Sequence, residues 1–399
     1  MNKNLSPDDN VLTDQHPRTL TLDQTGARSP GLPWWAFGLA NLAVIFTLSV
    51  VSWWLLADPR WSLLNTYPQP YNAVLFWTII ATVWVGFTFE WLGPASLPQP
   101  GRGLTGILLT FSLGVAITVL LAEGWGAVDP SFASSRPGGA GYTTGQLFVL
   151  FAFFFYVVSA VNANHWPWSA RTRQPWTGLG ELTLVLIPTA AIYSVLALPG
   201  LAEWADPQSA LMSTPTLIGW FYSLVVAAVI TGLIMENRPW NFAKRPGVVA
   251  AAAVVGNLAL GTGLYFALLA VAKLLMGSGD VAALSTSTTL YAAQLGVCWN
   301  FWMIAWANIF GNRPTNYRTG ANICLRLVVT FALGVVTFSL YYFAFAQHVL
   351  HEPRVAGTTL FGDALGFIDW LVLWMLWYVL FLGSYGLPGL RAEPVETSR

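Results

Sequence analysis

Ten uninterrupted apolar stretches dominate the chain, at about residues 34–56, 72–92, 102–123, 143–163, 179–200, 215–235, 247–276, 288–310, 319–348 and 364–387. Each is near or above the roughly 20 residues that a helix needs to cross the hydrocarbon core of a bilayer. In lipid the backbone has no water to bond, so such a run is a helix or part of a closed barrel. Continuous apolar character, not alternation, selects helices. The chain is 55% hydrophobic and 9% charged over 399 residues, where a soluble domain carries about a quarter charged residues. An all-α polytopic membrane protein of about ten transmembrane helices follows, with 34–388 as its transmembrane domain. Residues 1–33 and 389–399 read as cytoplasmic tails, the first polar and disordered and without the basic-then-apolar layout of a signal peptide.

Lys and Arg set the expected orientation. With ten spans, 13 basic residues fall on the side of both termini and only Arg60, Arg136 and Arg354 on the other. The positive-inside rule then places both termini in the cytoplasm, with the spans in the cytoplasmic (inner) membrane. Trp34, Trp35, Trp53, Trp54, Tyr71, Tyr142 and Trp240 stand near span ends, where amphipathic rings sit at headgroup level. Cys298 and Cys324 are the only cysteines, and their difference in depth argues against a disulfide.

An internal repeat underlies the loops. Inward spans close on a polar stop followed by proline, as in Glu90-Trp91-Leu92-Gly93-Pro94, Asn164-His165-Trp166-Pro167, Glu236-Asn237-Arg238-Pro239 and Asn312-Arg313-Pro314. With a degenerate copy at Pro388, these prolines recur at an interval that varies by no more than three positions. A second register lies in the outward spans, where Gly114, Pro188, Gly261 and Gly334 keep the same interval to within a position or two. "TFSLGV" at 110–115 returns as "TFALGV" at 330–335, three intervals further on. Such periodicity is the signature of repeated structural units. The expectation is five two-helix units in tandem, all facing the same way, with each outward helix broken or thinned at mid-membrane and a symmetry axis along the membrane normal.

The stop has two readings. Proline lacks an N–H and disfavours helix in the residue before it, so it ends the span, and the preceding Asn or Glu satisfies last-turn backbone groups. Alternatively, Glu90, Glu236, Asn237, Arg238, Asn312 and Arg313 form a gate around a cytoplasmic vestibule. The mid-span residues Gly114, Pro188, Gly261 and Gly334 either allow close helix packing or open the backbone onto a substrate path. Charged groups at membrane depth point to function or to ion pairing. Asp369 and Arg326 are the foremost, with Lys273 or His348 as partners for Asp369 and Glu90, Glu181 or Glu236 for Arg326. Asn257 and Asn300 add polarity to the path.

Chemistry is otherwise sparse. His348, His351 and Glu352 lack a clear fourth group for a metal site, and no catalytic set, phosphate loop or cysteine cluster appears. The net charge of zero gives no footprint for nucleic acid, and nothing specifies a cofactor or an oligomeric state. The partners are the lipid bilayer and a small-molecule substrate. These features favour a permease for an unidentified small molecule. A membrane-embedded enzyme acting on a lipid or apolar substrate, or a non-catalytic assembly subunit, are the alternatives.

Overall fold

Helix boundaries follow the prolines and polar stops closely. A computed structural model describes residues 31–390 apart from Ala170, so most of both expected tails lies outside the described residues. Within these residues there is no strand, and nine helical stretches are long and apolar enough to cross a membrane. In chain order they supply α1 Trp34–Leu56, α2 Tyr71–Thr88, α3 Gly101–Ala127, α4 Pro137–Asn162, α5 Trp176–Leu196 and α6 Thr214–Ile234. Next come α7 Pro246–Leu284 and α8 Tyr291–Asn308, then α9 Thr319–His348 and α10 Ala364–Phe381. The α7–α8 pair is one helical stretch of 63 residues that cannot run straight. Gly277 leaves the helical region at φ 82°, Ser285 takes φ 50°, and a 3-10 segment over Ser285–Leu290 turns the chain so that α8 packs along α7. Leu32 N–H donates to Gly389 O at 2.9 Å, which brings both ends of the described chain to one end of the bundle.

The ten helices form two concentric layers. The even helices pack in a closed circuit, α2 on α4, α4 on α6, α6 on α8, α8 on α10 and α10 back on α2. Their side chains are largely buried: 83% of the apolar window of α6 and of α10, 78% of α2 and 56% of α4 is buried, against 22% for α3, α5 and α9. The odd helices clad this ring, α3 on α2, α5 on α4, α7 on α6, α9 on α8, and α1 on α10. An outer helix needs only one buried stripe at helical spacing, and each has one: Gly106, Thr110, Gly114 and Thr118 in α3; Glu181, Val185, Thr189 and Tyr193 in α5; Ala253, Asn257, Gly261 and Tyr265 in α7; Arg326, Thr330, Gly334 and Phe338 in α9.

This stripe corrects two expectations. The outer helices run unbroken at mid-depth, and Pro188 lies inside continuous α5; the buried register there belongs to its neighbour Thr189. The glycines mark close approach. A Cβ would fall 2.1 Å from Thr78 Oγ1 at Gly114, 2.6 Å from Leu224 Cα at Gly261 and 2.9 Å from Trp299 Cα at Gly334. Small residues let backbones meet where lipid supplies no hydrophobic drive for association. Trp53 and Tyr71, expected at headgroup level, are core residues, Trp53 donating its indole N–H to Leu350 O at 3.2 Å. Cys298 is buried and Cys324 exposed, both as free thiols.

The inner helices all end in one hydrogen-bond pattern. Phe89, Ala163, Met235, Phe310 and Leu382 each donate a backbone N–H five residues back, and the residue two further on donates six back. These five donors keep nearly the interval of the prolines that follow them. Reversing the chain so tightly needs left-handed residues, and Glu90, Asn164, His165, Glu236, Asn237, Gly311, Asn312, Gly383 and Ser384 all take φ between 49° and 63°. Asn and Gly adopt that region most readily.

Candidate functional site

At the stop-motif end the polar residues tie helix ends to one another. Asn162 Nδ2 donates to Asn237 Oδ1 at 3.0 Å, Asn237 Nδ2 donates back to Asn162 O at 2.8 Å, and Asn312 Nδ2 donates to Leu233 O at 2.9 Å. Asn237 and Asn312 therefore each clamp one helix end to that of the preceding inner helix. Ser384 donates to Asn41 Oδ1 at 2.7 Å, which ties α1 to the last stop. Asn257 accepts from Thr231 at 2.8 Å on the back of α6.

The charged residues here pair off. Arg326, 3% exposed, donates to Glu236 Oε1 at 2.9 Å and to the Ile234 and Pro314 carbonyls, so it joins α9 to two stops. Arg238 meets the other Glu236 oxygen at 3.4 Å in the open. Glu90 is exposed, and Arg313 offers its carbonyl to Trp306 Nε1 at 2.6 Å. His165 Nδ1 lies 2.6 Å from Glu181. Burial pushes the His165 imidazole down, but the bond and charge of Glu181, with Glu90 adding, outweigh it and hold the imidazole above its ordinary value.

A Gln-based device also ties helix ends together here. Gln99 and Gln174 each stand before a Pro at an outer-helix start. Gln99 Nε2 donates to Phe381 O at 2.8 Å and Gln174 Nε2 to Thr88 O at 2.9 Å, while their Oε1 atoms accept from Gly103 and Gly178. The signal was the recurrence of Gln-Pro-x-x-Gly at Gln99 and Gln174, one repeat interval apart.

Opposite the stops lies a cluster of buried carboxylates whose hydrogen-bond partners include no Arg or Lys. Asp369 sits in α10, about 9 Å along the helix from its capping residue Asp363. Its Oδ1 accepts from Tyr222 OH in α6 at 3.0 Å. Because α6 and α10 are not neighbours in the circuit, this bond crosses the interior of the ring. Asn300 in α8 sits beside the Tyr222 hydroxyl, and Asn72 in α2 comes close to Gly366 of α10. The four inner helices α2, α6, α8 and α10 thus bring polar groups to within about one helical turn of one another along α10.

Nearer the end of the bundle, Asp363 accepts from Gln294 Nε2 at 2.6 Å and Leu365 N–H at 3.2 Å. Glu352 is 3% exposed and accepts from the Tyr341 hydroxyl, while Tyr67 and Tyr71 face it as well. Gly362 leaves the room it needs, since a Cβ at that residue would fall 1.9 Å from Glu352 Oε2. Burial pushes the Glu352 carboxyl well above its ordinary range; the Tyr341 and Tyr67 bonds oppose this and the charge of Asp363 adds to it. Burial likewise raises Asp363, against the Gln294 and Leu365 bonds. Neither Lys273 nor His348 serves Asp369; both are exposed. His351 instead meets Asp58 at 2.7 Å, so His348, His351 and Glu352 do not converge.

Several buried atoms in this region have no partner: Glu352 Oε1, Tyr71 OH, Asn72 Oδ1 and Asn300 Oδ1. A buried polar atom left without a partner costs about 1–3 kcal/mol; the stop end carries such atoms too, among them Glu181 Oε1, Asn312 Oδ1 and Arg326 Nε, but here they surround carboxylates that have no basic partner. Tyr71, Tyr222 and the pair Glu352 and Asp363 had no sequence signal for this role because they come from three segments far apart in the chain. Comparison with family models, curated proteins and solved structures returns no match.

Proposed function

We propose that the protein is a permease that moves a small, positively charged molecule across the cytoplasmic membrane along the axis of the five-helix ring. The observation that carries this reading is the Tyr222–Asp369 bond, which spans the ring between helices that are not neighbours. It joins a region, away from the stops, where polar groups of four inner helices come together. Asp369, with its partner Tyr222 and Asn300 at that hydroxyl, is the constriction; Asn72, Glu352 and Asp363 are the approach to it. The partners of the three carboxylates are tyrosines, Gln294 and backbone amides, with no Arg or Lys, and uncompensated carboxylates favour a cation. Of the path residues expected from sequence, Asp369 and Asn300 belong to the ring. Arg326, Asn257, Gly114, Pro188, Gly261 and Gly334 belong to the cladding, where they hold helices together.

The same reading makes the chain five tandem units, each an outer helix followed by an inner one. The helix-end pattern that recurs at Phe89, Ala163, Met235, Phe310 and Leu382 supports it, as does the circuit in which each outer helix clads the inner helix of the unit before. The stops and both termini face the cytoplasm on this view, following the excess of basic residues. Flux into proteoliposomes tests the function. Asp369→Asn, which preserves shape and removes the charge, is expected to slow cation entry about tenfold, a change of about 1.4 kcal/mol; Tyr222→Phe is expected to alter the rate without loss of fold. If folded protein moves no cationic solute faster than empty vesicles do, the permease reading fails.

A further inference from the structure

A cavity of about 160 Å³ opens on the side of the bundle between α1 and α3, at the end that holds the acidic cluster. Its walls include Leu56, Val74, Phe111 and Val115, and its floor is Tyr71 and Trp370. The mouth is open, for Leu64 on its rim is 60% exposed. Apart from Thr66 and Thr78, the walls are what lipid chains wet. The floor differs. Tyr71 is 6% exposed and its hydroxyl has no partner, although it feels the charges of both Glu352 and Asp369.

Aromatic rings continue inward from that floor. Tyr71 lies 5.8 Å from Trp370 and 5.2 Å from Trp53, and Trp53 lies 5.3 Å from Tyr67. Tyr67 in turn faces Glu352, whose Oε1 is unpartnered. Aromatic faces ending at a carboxylate recognise ammonium groups, each face attracting the cation through its ring quadrupole. An apolar entrance in the membrane suits the rest of such a molecule. Two independent observations thus meet here: a lipid-side cavity, and behind its floor a tyrosine hydroxyl and one carboxylate oxygen, Glu352 Oε1, without a hydrogen-bond partner.

We propose that this cavity admits alkylammonium ions sideways from the membrane, with the cationic head passing Tyr71 and Trp370 to rest against Glu352 while the alkyl tail stays among Val74, Phe111 and Val115. The inference builds on the permease reading, since it names the class of cation and its door, but the binding step stands without flux. Glu352 is faced by Tyr341 from α9, Tyr67 from the segment before α2, Tyr71 from α2 and Asp363 from the segment before α10. None is basic, so the arriving cation draws the carboxyl into its ionised form and one proton leaves as the ammonium binds. Affinity then climbs with pH, by up to tenfold per unit while the free carboxyl is protonated.

Binding of octylammonium, which is charged and carries N–H donors across this pH range, to the full chain in nanodiscs of neutral lipid, read by tryptophan fluorescence, tests this. The wild type is expected to bind it at least tenfold more tightly than nonanol, a neutral compound of similar length, and more tightly at pH 8.5 than at pH 6.5. Glu352→Gln is expected to lose that preference. Val115→Trp, which fills the entrance from α3 without touching the carboxylate, is expected to weaken binding about tenfold and serves if Glu352→Gln does not fold. Equal binding of the ammonium and the alcohol, or wild-type affinity in folded Val115→Trp, overturns the proposal. Specific binding without flux in vesicles leaves this site standing and removes the permease; flux of another cation without ammonium binding does the reverse.

Discussion

Gly261 and Gly263 are two positions apart in α7 and differ in everything that matters. A methyl group at Gly261 meets the α6 backbone, 2.6 Å from Leu224 Cα, whereas at Gly263 it meets nothing within 4 Å. Gly261→Ala is therefore expected to destabilise by about 1–3 kcal/mol, the range for overpacking. Gly263→Ala should be neutral or stabilising by up to about 1 kcal/mol from helix propensity alone. Melting of the two variants in one detergent measures the contrast, and equal melting points would remove the close-approach account of the glycines. At the same scale, the His165–Glu181 pair gives a pH dependence. A histidine whose folded value is raised contributes stability in full below its ordinary value near 6.5, and loses it as pH climbs through the raised one. Between pH 6 and pH 9 the wild type is expected to lose roughly 2 °C of Tm more than His165→Gln does.

At the level of elements, the stop motif is a helix terminator and a clamp at once, and two substitutions separate these jobs. Asn237→Gly keeps the left-handed conformation at φ 58° and removes both bonds to Asn162. Asn237→Ala removes the bonds and strains the backbone as well. The glycine variant is expected to cost about 1–2 kcal/mol for the lost pair, and the alanine variant about 1 kcal/mol more. If both melt like the wild type, the clamp between α4 and α6 carries no stability. Sequence located this motif through its spacing and through proline, because both are local. That Asn237 reaches a neighbouring helix end is invisible in one dimension, since its partner Asn162 lies a whole repeat away along the chain.

The whole molecule closes by placing its first helix on its last. Because Leu32 bonds Gly389, the ring has no end in space, only one in the chain. A circular permutant that joins residue 399 to residue 1 and opens in the exposed turn between Asp206 and Leu211 is expected to keep its fold, with a Tm within about 4 °C of the parent. Size-exclusion and melting behaviour check this. Deleting α1 instead strips the cover from α10 and takes Trp53 out of the core, and the remaining chain is expected to aggregate. A permutant that aggregates in the same way would show that closure depends on chain order more than on contacts.

Composition and pattern alone determined that the chain lives in lipid as about ten helices, and proline spacing alone located the turns, because bilayer thickness and proline sterics act on short stretches of backbone. Which helices form the inner ring and which clad it was decided only by tertiary packing, since apolar residues face lipid and core alike and leave little contrast to read. The same ambiguity set Thr189, not Pro188, against α4 in the buried stripe. The acidic cluster followed from that packing: Tyr71 and Tyr222 lie far along the chain from Glu352 and Asp369, and only closure of the ring sets Tyr222 on Asp369 and Tyr71 against both carboxylates.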